Sequence, residues 1–314
     1  MSFQKTRGIG WLLFMILIMF FAFLFFAIYT IKSASDGTQL AELGAKNIKD
    51  LIGVVEVKGV IMESQKVVEN LISAEKNPKV KAIILRVESP GGAVAPTQEI
   101  YQEILRIDKI KPVYASMGTM ATSGGYYVAA ATRKIYANPG TLTGSIGVLM
   151  QFMDLSKLYD FVKIAPETLK SGDYKDAGNP SRALTTKEKE LLNSVIKGVH
   201  QQFVNDILRV RKDRIVGDLT AHAQGQLFSG ESARKAGLID QEASLWEAGR
   251  EIHRELKLQG DFQLLYVKIQ KKGFSLMNFL DSVEESSSSI KQLLSLKDIP
   301  LFLYRNDLNG IVVN

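Results

Sequence analysis

The sequence predicts an α/β domain built on a mostly parallel sheet with covering helices, preceded by one transmembrane helix. Three observations carry this expectation. From residue 51 onward, apolar runs of strand length alternate with amphipathic stretches of helix length. Two of the strands run into a Gly-Gly pair and then a helix, at RVESPGG (86–92) and MGTMATSGG (117–125). Residues 11–31, WLLFMILIMFFAFLFFAIYTI, carry no charge.

The N-terminal segment comes first. Residues 1–10 hold Lys5 and Arg7. The uncharged run of 21 residues that follows rises about 1.5 Å per residue and so matches a hydrocarbon core of about 30 Å. It exceeds the roughly 7–15 apolar residues of a signal peptide. A retained anchor is therefore expected rather than cleavage at Ser33-Ala34-Ser35. Basic residues on the short side place the N-terminus in the cytoplasm and everything after Lys32 outside it. Residues 32–51 are polar and of mixed charge, and read as a linker.

Residues 52–270 form the expected globular domain. LIGVVEVKGVIM (51–62) reads as a strand, followed by a helix over about 64–75, a strand at 79–87 and a helix at 93–108. A strand at 112–117 leads to Ser123 and an Ala-rich helix. RKIYANPGTLTGSIGVLM (133–150) holds two strands around a Pro139-Gly140 turn, and VKIAPETLK (162–170) reads as one more. SGDYKDAGNPSRA (171–183) is a polar loop. In 185–213, Leu191, Leu192, Val195, Ile196, Val199, Phe203 and Ile207 fall at helical spacing after a Thr-Thr-Lys-Glu cap. That stripe suits a core or a subunit interface. Two further helices follow, one within 228–240 ending at Gly237 and one at 243–258. Residues 271–314 are a C-terminal extension, Ser- and Glu-rich at first. Its apolar patch IPLFLYRND (299–307) reads as part of a partly disordered C-terminus, with a linker and docking peptide as the rival.

Composition narrows the chemistry. The chain has 314 residues, a net charge of +6, 46% hydrophobic residues, three histidines and no cysteine. Thiol catalysis, disulfides and cysteine metal sites are excluded. Phosphate-cradling GxGxxG and GxxxxGK[ST] motifs are absent, and no His/Glu spacing suggests a metal. The basic residues are spread along the chain, which favours an anionic lipid surface over nucleic acid.

Ser123 is the candidate nucleophile. A serine at a strand-to-helix turn presents its hydroxyl from a sharp bend, and the next N–H, of Gly124, lies at a helix N-terminus where it can meet developing negative charge. Gly91 and Gly92 end the other strand with backbone N–H groups free to face a ligand. Two such ends facing one carbonyl make an oxyanion hole.

SPGG (89–92), the Ser-Gly-Gly turn about thirty residues on, PGTLTGSIGV (139–148) and YKD (174–176) stand in a recognisable order. Over roughly residues 52–256 the chain resembles the signal peptide peptidase A family, membrane-anchored bacterial serine peptidases with a crotonase- and Clp-protease-like fold. Glu88 stands where that family usually has Asp or Asn. The resemblance implies that Lys175, at the YKD position, is the general base and that Ser145 orients it. Clp-type proteases place a histidine some two dozen residues after the serine, and this chain has none there. A lysine acts as a base only when neutral, and its ordinary pKa is about 10.4, so burial under a covering subunit would have to lower it. Asp173 and Asp176 must then face away or pair elsewhere, with Arg182 a candidate; Lys170 is the alternative base. The resemblance further implies apolar peptide substrates such as cleaved signal peptides in the bacterial inner membrane, no cofactor or metal, and a ring-like homo-oligomer whose serine meets a neighbour's lysine. Two other classes share this fold: acyl-CoA enzymes, which need neither Ser123 nor Lys175, and inactive scaffolds. A serine-reactive probe separates them, since only a peptidase labels at Ser123.

Overall fold

The computed structural model describes residues 15–27 and 49–268, with the backbone of residues 303–304. The chain divides into two units, residues 1–49 and 50–314. In the first, residues 15–27 are helical and their large apolar side chains are exposed. Among the described residues no helix is long and apolar enough to cross a membrane. The rest of the expected span 11–31, the basic N-terminus, most of the expected linker and the expected boundary at residue 270 lie outside the described residues.

The second unit is a mixed α/β domain. Strands β1 (Leu51–Lys58), β2 (Val80–Ser89) and β4 (Val113–Thr122) run parallel through its centre. The short strands β6 (Leu142–Gly144), β7 (Leu227–Ser229) and β9 (Leu264–Tyr266) extend the sheet in the order β7-β6-β4-β2-β1-β9, and only β7 is antiparallel to its neighbour. β5 (Ile135–Ala137) branches from β4 and pairs with β8 (Gln241–Glu242). β1 and β2 read as near-continuous apolar runs because helices cover both faces of a parallel sheet.

One face carries α8 (Leu245–Glu255), whose Leu245, Ala248 and Ile252 close over Ile52, Ile84, Tyr114 and Tyr136. Buried side chains also line α1 (Gln65–Lys76), at Leu71 and Ala74, and α2 (Val94–Asp108), at Ile100, Ile104 and Ile107. Each such Leu or Ile contributes about 1.5–3 kcal/mol of transfer free energy. α3 (Gly124–Ala130) is buried along its whole length. α5 (Thr186–Arg211) is pinned to α3 by its second half: the Phe203 ring lies 4.5 Å from that of Tyr127, and Tyr101 donates to the Asp206 carbonyl at 2.9 Å. α6 (Leu219–His222) and α7 (Gly230–Lys235) complete the unit with α4 (Ser156–Phe161).

Two expectations are corrected. β4 continues past residue 117 to Thr122, because β6 pairs with its second half from Met120–Leu142 to Thr122–Gly144. Residues 164–170 are not a strand. They are exposed throughout and pair with no strand among the described residues; the helical turn before them, α4, was not expected. Part of the tail is ordered as strand: β10 (Leu303–Tyr304) pairs antiparallel with β3 (Gly92–Ala93), Tyr304 opposite Gly92.

Candidate active site

Ser123 stands at the junction of β4 and α3 with φ 54° and ψ −117°. A residue with a Cβ pays about 1–3 kcal/mol for such a conformation. The surroundings hold it there. Its N–H donates to the Gly144 carbonyl at 2.7 Å and its carbonyl accepts from Tyr127 N–H at 2.9 Å, while Thr122 Oγ1 donates to the Pro90 carbonyl at 3.1 Å. No side chain caps the N-terminus of α3, so the first N–H groups of that helix are left for a ligand. Ser123 is 1% exposed and opens into a cavity of about 370 Å³.

The two Gly-Gly turns meet directly. A Cβ on Gly124 would lie 3.3 Å from both Gly91 Cα and Gly92 N. One on Gly125 would sit 2.7 Å from the Ser89 carbonyl oxygen, and one on Gly92 2.1 Å from that of Ile61. Close backbone approach therefore demands glycine at these positions. Gly91 takes φ 107° and turns its N–H to Ser89 Oγ at 3.1 Å. The pairing of β10 with Gly92–Ala93 places extended peptide backbone along this same edge.

The cavity is lined by Ser123, Ser145, Gly147, Val148, Leu149, Ile196, Lys197, His200 and Ala223–Gly225. Ser145 has φ 51° and is held by its N–H to the Gln226 carbonyl at 2.8 Å. His200 Nε2 faces the Ala223 carbonyl at 2.9 Å; a carbonyl only accepts, so Nε2 carries the proton. Lys175 is not part of this wall. It lies exposed in the 171–183 loop. Of the two aspartates flanking it, Asp176 is paired elsewhere. Asp176 binds Lys170 at 2.6 Å and Arg182 at 2.9 Å, and these cations hold its carboxyl below the usual range. Arg182 also binds Glu188 at 2.6 Å and lowers it from 4.5 to about 2. Lys170, the alternative base, is committed to the Asp176 ion pair. Glu188 in turn completes a capping box with Thr185 at the start of α5, so the lysine loop is fastened to that helix.

The sequence matches the description "Peptidase family S49" over residues 106–259 and "Clp protease" over residues 54–142. A Synechocystis sp. protein that carries a protease name is 34% identical over 203 residues, 63% of this chain and 73% of the relative. An Enterococcus faecium protein bearing the name signal peptide peptidase SppA is 30% identical over 250 residues, 74% of this chain and 71% of that one. The chain belongs to peptidase family S49. The chloroplastic serine protease SPPA of Arabidopsis thaliana is also 30% identical, over 79% of this chain but only 37% of its own length. This S49 chain is accordingly a protease, and its mixed, mostly parallel sheet agrees with the Clp match.

Two features of the S49 site escape a reading of the sequence. Lys197 and His200 line the serine's cavity from α5; their spacing with Ile196 puts the three on one helical face, the available signal. Glu88, the departure from the family pattern, accepts from Thr119 N–H at 2.8 Å and Met120 N–H at 3.3 Å, bracing the second half of β4. Gly118 makes room for it, since a Cβ there would meet Glu88 Oε2 at 1.6 Å.

Proposed function

We propose that this chain is a membrane-anchored serine endopeptidase with Ser123 as nucleophile and Lys175, delivered by a neighbouring protomer, as base. The observation that carries the proposal is the Ser123 turn: a strained, uncapped strand-to-helix junction pressed against Gly91–Gly92. Lys175 Nζ takes the Ser123 hydroxyl proton as Oγ bonds to the peptide carbonyl carbon. The N–H groups of Gly92 and Gly124 stabilise the oxyanion. The C–N bond breaks as the lysine's proton passes to the leaving amine. Water then gives its proton to Lys175 and adds to the acyl ester, and Ser123 leaves with that proton. Ser145 keeps the lysine aimed. Substrate lies extended along β3, as β10 does, and apolar peptides such as spent signal peptides at the outer face of a bacterial inner membrane fit this reading.

The exposed setting of Lys175 and the apolar surface around it support delivery by a second copy. Among the described residues, Leu149, Met153, Leu158, Phe161 (82% exposed) and Leu169 (92% exposed) are exposed, and the first half of α5 leaves Leu191 and Val195 exposed. A head-to-tail interface closing into a ring would cover such a face and present two different residues across it.

Mixing tests this. Ser123→Ala and Lys175→Ala chains are each expected to be inactive. Co-assembled at random in equal amounts, about a quarter of their sites pair an intact serine with an intact lysine, so about a quarter of wild-type activity returns. Verified mixed rings that stay dead would put both residues in one chain. A Lys175→Ala protein with near-normal turnover would move the base to the serine's own cavity, to Lys197 or His200.

A further inference from the structure

The cavity beside Ser123 contains a cation for which the proposed mechanism has no task. Its walls at Val148, Leu149, Ile196 and Ala223 are apolar, and no acidic side chain lines it. Lys197 lies in that wall, exposed, and among the described residues it makes no ion pair. The residues one turn away on α5, Asn193, Ser194, His200 and Gln201, bring no negative charge. His200 is engaged with the Ala223 carbonyl. Among the described residues, the serine's cavity thus holds uncharged polar groups at Ser145 and Gln224 beside its apolar walls, and Lys197 is its single ammonium.

We propose that Lys197 is a specificity residue that selects peptides carrying a carboxylate close to the bond to be cut. The proposal rests on Ser123 being the nucleophile. A carboxylate brought to a wall that bears an ammonium and no acidic side chain gains a charge-assisted contact, and a cationic side chain is repelled there. The carboxylate has two possible sources, an acidic side chain or the free C-terminus of a short peptide. Either would let the enzyme distinguish peptide fragments or acidic sites from wholly neutral apolar segments.

The test uses the full chain in detergent and one apolar reporter peptide in four forms: C-terminal amide, free C-terminus, and the amide with Glu or Gln beside the scissile bond. The carboxylate forms are expected to show kcat/KM about five- to twenty-fold above their neutral counterparts, mainly through KM, with the advantage shrinking as salt rises. Comparing the Glu form with the free C-terminus assigns the source. Lys197→Gln should bring the ratio close to one, Lys197→Glu should favour a Lys-containing reporter, and Lys197→Arg should keep the preference. An equal ratio in wild type and Lys197→Gln overturns the proposal. So does a Lys197→Gln protein whose assembly size changes while its ratio does not, which would make Lys197 an interface cation. If instead Ser123→Ala retains activity, the nucleophile assignment fails whatever the ratio.

Discussion

Replacing Ser123 by glycine should abolish turnover and at the same time make the protein harder to unfold. The reason is the φ of 54° and ψ of −117° at that residue, a region in which only glycine is at ease. Relief of the strain contributes about 1–3 kcal/mol. Glycine's extra freedom in the unfolded chain offsets about 0.4–1 kcal/mol of it. The serine side chain caps nothing in α3, so its removal loses no capping hydrogen bond. The net runs from about 0 to 2.6 kcal/mol in favour of glycine, with a midpoint of about 1.3 kcal/mol. For a domain of this size that midpoint corresponds to about 3–5 °C in Tm. Ser123→Ala is the control, since it removes the hydroxyl but keeps the Cβ and the strain. Both variants, purified alike, would be melted by far-UV circular dichroism and assayed on an apolar reporter peptide. Both should be inactive, with the glycine variant melting above the alanine variant. Equal melting temperatures, or a lower one for glycine, would refute the claim that the nucleophile's turn stores backbone strain.

Gly92→Ala should cost stability as well as activity, because its Cβ would fall 2.1 Å from the Ile61 carbonyl oxygen and backbone must move; about 1–3 kcal/mol is expected in a denaturant titration. Glu188 supplies a pH prediction. Its carboxyl is depressed from 4.5 to about 2 by Arg182, so its stabilising effect is complete above pH 4.5 and fades as pH falls towards 2. The gap in stability between wild type and Glu188→Gln should therefore close over that window, and a gap independent of pH would contradict the pairing. Removing residues 299–314 should lower KM for added peptide if the β10 pairing competes for the Gly92–Ala93 edge; an unchanged KM would mean that it does not.

The central strands, the helices around them and the two Gly-Gly turns were legible because each has a local signature. The Gly-Gly pairs at 91–92 and 124–125 stand out in the sequence although the contacts that call for glycine there, Gly92 with Ile61 and Gly125 with Ser89, join distant segments. The cap at Thr185–Glu188 announced α5 in the same way. The errors came where a partner decides. Residues 162–170 have the composition of a strand but no edge to join, and the second half of β4 became strand because β6 arrives beside it. That Lys197 and His200 meet the serine's cavity depends on where Phe203 docks against Tyr127, a tertiary fact that no periodicity encodes.

The base poses a different difficulty. Lys175 lies 52 positions after Ser123 in a loop where Asp176 is neutralised by Lys170 and Arg182. Left beside free carboxylates, a lysine would be held in its charged form and could not accept a proton. The ion pairs take Asp176 out of that role without burying the lysine, and Glu188 anchors the same network to the start of α5. The loop is thus braced and its anion occupied while the lysine stays exposed in the single chain. Among the described residues nothing buries Lys175, so under the proposed reading burial, the remaining requirement for a neutral lysine, comes from a neighbouring protomer. An interface that covers the exposed apolar residues from Leu149 to Leu169 would meet it, and would switch on the base only when the ring has closed.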